Sequence, residues 1–412
     1  MNTANGRLAR RLGLVDATAI GLGSMLGAGV FAAFAPAAAA AGSGLLLALV
    51  LAAFVAYCNA SASAQLAAVY PASGGTYVYG RERLGEWWGF TAGWGFVVGK
   101  TASCAAMALT FAAYAAPGWE RPAAVLAVVA LTVVNLLGVT RTATVTKILL
   151  AIVLVVLIAV IVVSTVDGEP ARLGEPWFDG GVLGVLQAAG LLFFAFAGYA
   201  RIATLGEEVR RPGRTIPLAI LGALAVAVVI YLLVGIALLM ALGPQRLAAT
   251  GAPLAEALAS AGVPGWPARV GAAAASLGAL LALIAGVGRT TFAMAGNRDL
   301  PTVLDAVHPR LKVPHRAEIA VGVLVCVIVS TVDIRGAIGF SSFGVLVYYA
   351  IANAAAYTQP PAVRKWPRAL NVAGLAGCVL LAATLPWQSV LAGLAVFAVG
   401  LAGRAIVLRT RR

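Results

Sequence analysis

Twelve apolar stretches run through this chain, and only short connections separate them. The first six are roughly Leu14 to Ala41, Gly44 to Val69, Trp87 to Ala116, Pro122 to Val139, Ala143 to Val166 and Val182 to Leu205. The second six are roughly Thr215 to Leu242, Val270 to Ala295, Ile319 to Val332, Ile338 to Tyr357, Leu370 to Leu385 and Ser389 to Leu408. A helix that crosses a bilayer uses about 20 residues, so a dozen account for roughly 240 and leave little for a domain outside the membrane. Composition agrees: of 412 residues, 61% are hydrophobic and 11% charged, against about 25% charged in a soluble domain. The sequence therefore predicts a single all-α polytopic membrane domain over residues 1–412. The first stretch follows Arg7, Arg10 and Arg11 as a signal peptide would. It runs too long and lacks a small-residue cleavage site, so it is expected to stay as the first helix.

The net charge of +14 would suggest a nucleic-acid partner in a soluble chain. Here the basic residues belong to loops, so no nucleic acid is expected. Assigning alternate connections to opposite faces puts twenty Lys and Arg on the side of both termini and five on the other. The excess predicts cytoplasmic termini. Cys58, Cys104, Cys326 and Cys378 lie far apart inside apolar stretches, with no CxxC spacing, and read as packing residues. His308 and His315 share one loop and have no carboxylate or cysteine cluster of ligand spacing around them, so neither a metal, a cofactor nor a membrane enzyme is expected. Four cations stand apart: Lys100, Lys147, Arg201 and Arg289 lie in or at the ends of spans. Desolvation is costly there, which makes them candidates for chemistry.

The first stretch reads Gly21-Leu-Gly23-Ser-Met-Leu-Gly27-Ala-Gly29-Val-Phe31. Each interior glycine weakens a helix by about 1 kcal/mol relative to alanine, so an interruption is expected. A dinucleotide-binding loop would need a preceding strand and a later acidic partner, and both are missing. Close helix packing on Gly23-x-x-x-Gly27 is the other reading of the same glycines. The sixth stretch, Leu192-Phe193-Phe194-Ala195-Phe196-Ala197-Gly198-Tyr199-Ala200-Arg201, is interrupted by a glycine and a cation at the matching place in a second set of five spans. Two such segments in corresponding positions point to a transporter with inverted repeats and a site near the bilayer midplane. N–H groups freed after Gly27 suit a carboxylate, and carbonyls freed before Gly198 suit an ammonium. Those two poles fit an amino acid.

Gly23-Ser-Met-Leu-Gly27-Ala-Gly29-Val-Phe31 resembles the first-helix signature of the amino acid, polyamine and organocation (APC) transporter superfamily, as found in bacterial proton-coupled amino acid permeases. Tyr70-Pro71-Ala-Ser-Gly74-Gly75-Thr-Tyr77-Val-Tyr79, with Gly89-Phe90-Thr-Ala-Gly93-Trp94, resembles its connection between helices two and three. Phe193-Phe194-Ala-Phe-Ala-Gly198 and Glu207-Glu208-Val-Arg-Arg-Pro212 resemble its sixth helix and exit loop. Arg289-Thr-Thr-Phe-Ala293-Met294-Ala295 before Leu300-Pro301 resembles the end of its eighth helix. The likeness runs in family order from Leu14 to about Tyr357.

The resemblance implies a five-plus-five inverted repeat with helices one and six broken. Repeat one would cover about 14–166, repeat two about 182–357, and two extra C-terminal helices about 370–408. It places a substrate carboxylate on the backbone around Met25, Gly27, Ala28 and Gly29, and an amine on the backbone around Phe194, Ala195 and Ala197. Phe194 would cover the substrate as an aromatic lid; ordinary packing is its other reading. Lys147 would occupy the position that sodium holds in sodium-driven relatives, bonding to carbonyls of the first break and coupling protons. A lysine so near a helix end also suits snorkelling to the surface. Lys100, midway along the third span, either lines the site or is a structural cation. Arg201 leaves the charge of the substrate open. Asp16, Glu207, Glu208 and Arg289 are candidates for an inner gate, with solvated surface charge as the alternative.

The expected function is secondary active transport of small neutral amino acids by alternating access, as import or exchange, coupled to protons. Cationic or acidic amino acids or amines are the alternative substrates, and a nutrient sensor that keeps the fold is the alternative role. The expected location is a bacterial cytoplasmic membrane. No filter motif or ring-forming charge pattern supports a channel.

Overall fold

The apolar stretches fold as helices close to the expected boundaries. In the computed structural model, which describes residues 12–70, 74–138, 143–174, 180–205 and 208–410, the first half of the chain forms α1 (Leu14–Met25), α2 (Ala28–Ala32), α3 (Phe34–Ala41), α4 (Leu45–Val69), α5 (Thr76–Leu84), α6 (Glu86–Ala115), α7 (Glu120–Leu136) and α8 (Ala143–Val166). The second half forms α9 (Gly181–Phe196), α10 (Ala200–Ala203), α11 (Pro212–Ala249), α12 (Pro253–Ser260), α13 (Trp266–Gly296), α14 (His315–Thr331), α15 (Ile334–Tyr357), α16 (Arg368–Thr384) and α17 (Trp387–Thr410). Among the described residues there is no β-strand, and one isolated parallel bridge joins Leu12 to Val209.

Nine segments of the described residues are long and apolar enough to cross a membrane. The other three expected spans are α7, α14 and α16, each of 17 residues, or about 25 Å of helix at the short end of the spanning range. The seventh stretch runs past its expected end at Leu242. Helix continues to Ala249 through a kink at Gly243, whose φ of 67° lies where only glycine sits without strain, followed by Pro244.

Both expected interruptions are present, and they differ in kind. At the first, Leu26 and Gly27 leave helical geometry (Gly27 φ −74°, ψ −139°) before helix resumes at Ala28. Pro36 then has no N–H to offer the carbonyl of Ala32, which separates α2 from α3 although Ala33 keeps right-handed helical angles. At the second, the chain tightens into a 3-10 turn over Ala197–Tyr199 and re-enters helix at Ala200. It frees fewer carbonyls than an unwound segment, because the Ala197 N–H still donates to Phe194.

The interruptions press on each other at the centre of the bundle. A Cβ on Gly29 would lie 2.5 Å from the Cα of Ala195, and one on Gly198 would lie 2.5 Å from the nitrogen of Met25. Each break thus needs glycine where the backbone of the other crosses it. Around them α6 packs on α2, α13 and α15, while α11 packs on α1, α3, α4 and α8. Contact between α6 and α15 is backbone to backbone, with Gly99 against Gly344 and Val345, the close approach that small residues permit in membranes.

These positions predict opposite outcomes for the same substitution. Gly29→Ala and Gly198→Ala should each lower stability by about 1–3 kcal/mol through overpacking against backbone. Gly222→Ala, in the interior of α11 with open space around its α-carbon, should raise it by about 0.5–1 kcal/mol. Thermal unfolding of the three purified variants in detergent checks the contrast.

Candidate functional site

A cavity of about 540 Å³ lies between the two interruptions. Its wall includes Met25, Ala28 and Gly29 from the first break and Phe194, Ala195, Ala197 and Gly198 from the second. Lys100 and Ser103 of α6 and Ala279, Arg289 and Thr290 of α13 complete much of the rest. The cavity reaches towards the end of the bundle that carries Leu12, Glu208 and Asn297. Seven of the eight residues expected to bind substrate therefore line one space. The eighth, Gly27, is not among the lining residues and sits against α13, where a Cβ would meet that of Ala279 at 3.0 Å, a close approach of the kind that the glycine-packing reading expects.

Lys100 is placed at the heart of this space. Its side chain comes from mid-α6, the residue is 7% exposed, and its Nζ donates to the carbonyl of Ala197 at 3.1 Å. Phe194 is 7% exposed and lies in the last turn of α9, just ahead of the second break. Between the breaks stands Tyr231 of α11, whose hydroxyl lies 2.6 Å from the carbonyl oxygen of Met25 and 3.0 Å from that of Ala195. One phenolic proton is shared between a carbonyl of each interrupted helix. Sequence reasoning missed Tyr231, since a tyrosine in an apolar stretch carries no local mark of its partner.

Lys147 departs from its expected contacts. Its Nζ pairs with Asp16 Oδ1 at 2.5 Å, and its side chain is 46% exposed. Asp16 lies in the first turn of α1, nine residues or about 14 Å of helix before Met25, so Lys147 pairs at the start of α1 rather than at its break. The register of α8 explains this: Thr146, one residue earlier, is the one that lines the cavity and faces Gly23. Of the other gate candidates, Glu208 and Arg289 line the cavity, whereas Asp16 lies outside it. Glu207 falls outside the described residues. Backbone bonds from Leu12 N–H to the Glu208 carbonyl (3.0 Å) and from Arg210 N–H to the Leu12 carbonyl (2.9 Å) join the start of α1 to the segment after α10. Arg201 also lines the cavity, near the like charge of Arg289 and the opposite charge of Glu208, and forms no ion pair among the described residues.

A second group beside the cavity was not expected. Asp299, just after α13, accepts from Arg404 of α17, from Arg81 at 3.3 Å and from the Tyr77 hydroxyl at 2.7 Å. Asn297 donates to Tyr77 at 2.9 Å, Arg81 also reaches Glu86 at 3.1 Å, and the guanidinium of Arg404 lies over Phe90. The Asp299 and Arg404 side chains are 5% and 4% exposed. Burial pushes the Tyr77 phenol up to about 12, with Asp299 adding to the rise, so it stays a donor at neutral pH. Tyr77 and Asn297 line the cavity, so this cluster ties the last helix to the cavity wall. By count of loop charges, Arg81 and Arg404 had merely oriented the helices.

Two outcomes follow from the geometry. Tyr231→Phe removes the hydroxyl donor shared by two buried carbonyls and should lower stability by about 1–3 kcal/mol, read as a drop in unfolding midpoint in detergent. Arg404→Met leaves the buried Asp299 with only Arg81 and the Tyr77 hydroxyl as partners among the described residues and should cost about 1.5–3 kcal/mol, most of it recovered in the Arg404→Met, Asp299→Asn double variant. A double-mutant cycle on the same unfolding signal measures that recovery.

The amino acid permease family profile matches residues 16–401. An uncharacterized transporter of Mycobacterium tuberculosis (strain H37Rv) is 61% identical over 98% of this chain and 93% of its own length. The branched-chain amino acid permease BcaP of Bacillus subtilis is 28% identical over 96% of this chain and 92% of its own. The chloroplastic cationic amino acid transporter 7 of Arabidopsis thaliana is 28% identical over 93% of this chain and 71% of its own. With the family profile matched across almost the whole length, the chain belongs to the amino acid permease family.

Proposed function

We propose that this protein is a secondary active transporter that imports or exchanges small neutral amino acids, coupled to protons, by alternating access within a five-plus-five inverted repeat. The observation that carries the reading is the cavity between the two interruptions, walled by backbone and small side chains from both, in a chain of the amino acid permease family. Backbone after Gly27 would receive the carboxylate, and Phe194 would lie over the substrate as a lid. Gly29, Ala195, Ala197 and Ala279 leave room for a short side chain. Relatives include a permease named for branched-chain and a transporter named for cationic amino acids. Against a cationic substrate here stand Lys100, Arg201 and Arg289 in the wall, with Glu208 as the carboxylate among the described lining residues. An unpaired like charge in a low-dielectric site is strongly unfavourable.

Both termini are assigned to the cytoplasm by the excess of basic residues on their side. That assignment makes the end with Leu12, Glu208 and Asn297 the inner mouth and the conformation inward-facing. Proton coupling falls to the Lys147–Asp16 pair at that mouth. Protonating Asp16 would release Lys147 and loosen the start of α1, which is held to α8 by this ion pair.

Uptake by proteoliposomes tests the function and its driving force together. Labelled alanine should accumulate in sodium-free buffer under an inward proton gradient and be inhibited by unlabelled serine, but not by arginine or putrescine. Lys147→Met should retain substrate exchange while losing the response to the gradient. Uptake that requires sodium and ignores pH, or that arginine blocks and serine does not, contradicts the proposal.

A further inference from the structure

We infer that Lys100 is a built-in substitute for the ammonium group of a substrate, so that the site selects on the carboxylate and also carries small 2-oxo and 2-hydroxy carboxylic acids that have no amine. The inference rests on the transport function proposed for this cavity. Three carbonyls were expected to receive a substrate amine, those of Phe194, Ala195 and Ala197. All three already have donors from the protein. The Phe194 carbonyl takes the Ala197 N–H, that of Ala195 takes the Tyr231 hydroxyl, and that of Ala197 takes Lys100 Nζ at 3.1 Å.

An arriving ammonium would have to share the Ala197 carbonyl with a second cation in a buried space. A carboxylate meets the reverse situation. An ammonium has three N–H donors, and one hydrogen bond is made by Lys100, so two remain for a carboxylate as charge-assisted bonds. The surroundings push the same way. Among the described lining residues the cations Lys100, Arg201 and Arg289 face the single carboxylate of Glu208, and neither arginine is held in an ion pair among the described residues. One negative charge entering this space lowers its imbalance, whereas an accompanying ammonium restores it. A small carboxylate without an amine therefore satisfies the wall as well as the matching amino acid does.

The test is uptake of labelled pyruvate and labelled alanine by proteoliposomes of the wild-type chain, Lys100→Met and Lys100→Arg, with diffusion into protein-free vesicles subtracted. The expected result is saturable pyruvate uptake that alanine inhibits, with pyruvate inhibiting alanine in turn. In Lys100→Met the ratio of pyruvate to alanine uptake should fall about tenfold, because the vacated Ala197 carbonyl can accept an amine that pyruvate lacks. Lys100→Arg should keep most of the wild-type ratio. If alanine is carried while pyruvate neither enters nor inhibits, the inference is overturned and the amino acid reading stands. If pyruvate enters and no amino acid does, the inference stands and the amino acid reading fails. Uptake of neither overturns both. Should Lys100→Met fail to fold, mutual inhibition in the wild type and the Lys100→Arg ratio decide.

Discussion

Two interruptions in the middle of a membrane protein leave backbone groups that lipid cannot satisfy, and the rest of this structure is arranged around meeting that demand. The solution is local and economical. Tyr231 serves the Met25 and Ala195 carbonyls, and Lys100 serves that of Ala197. These donors come from α11 and α6, two long helices that flank the breaks, so satisfying the breaks also fixes how those helices sit. Gly29 and Gly198 let the breaks cross at backbone distance. The cavity is the space left where the crossing cannot be filled by side chains.

The two C-terminal helices are held to this centre by polar contacts. Arg404 of α17 reaches Asp299 beside the cavity wall, and Trp94 of α6 donates to the Val396 carbonyl at 3.0 Å. On α16, Cys378 donates to Asn59 of α4 at 3.3 Å, and Asn59 in turn accepts from Asn353 of α15 at 2.6 Å. Buried polar groups of this kind carry a large penalty when a partner is lost. They therefore specify one packing of α16 and α17 rather than a loose association through lipid-facing residues.

Charge inside the protein follows a consistent logic. Among the described residues, the cations that line the cavity form no ion pair, while others around it are paired: Lys147 with Asp16, Arg81 with Asp299 and Glu86. The paired groups hold helices together. The cations in the wall give the cavity a positive character, which bears on what can enter it.

Much of the architecture was legible in the chain because hydropathy and glycine content are local properties. A run of apolar residues near 20 long has few alternatives to a spanning helix, and glycines clustered at 21–29, or beside a cation at 198–201, mark weak helix wherever the helix is placed. Seven residues assigned to the substrate site from those segments do share one cavity. What the chain could not reveal is which distant group answers each one. Tyr231 and Met25 are 206 positions apart, Lys100 and Ala197 are 97 apart, and Arg404 and Asp299 are 105 apart. Lys147 was assigned to the first break by register with a family pattern, yet the rotation of α8 gave that face to Thr146 and left Lys147 for Asp16. The sequence by itself thus determined the helices, their interruptions and the membrane they require. Only the tertiary structure decided the partner of each buried polar group, because partner choice depends on the rotation and crossing of whole helices, and no short window of residues encodes either.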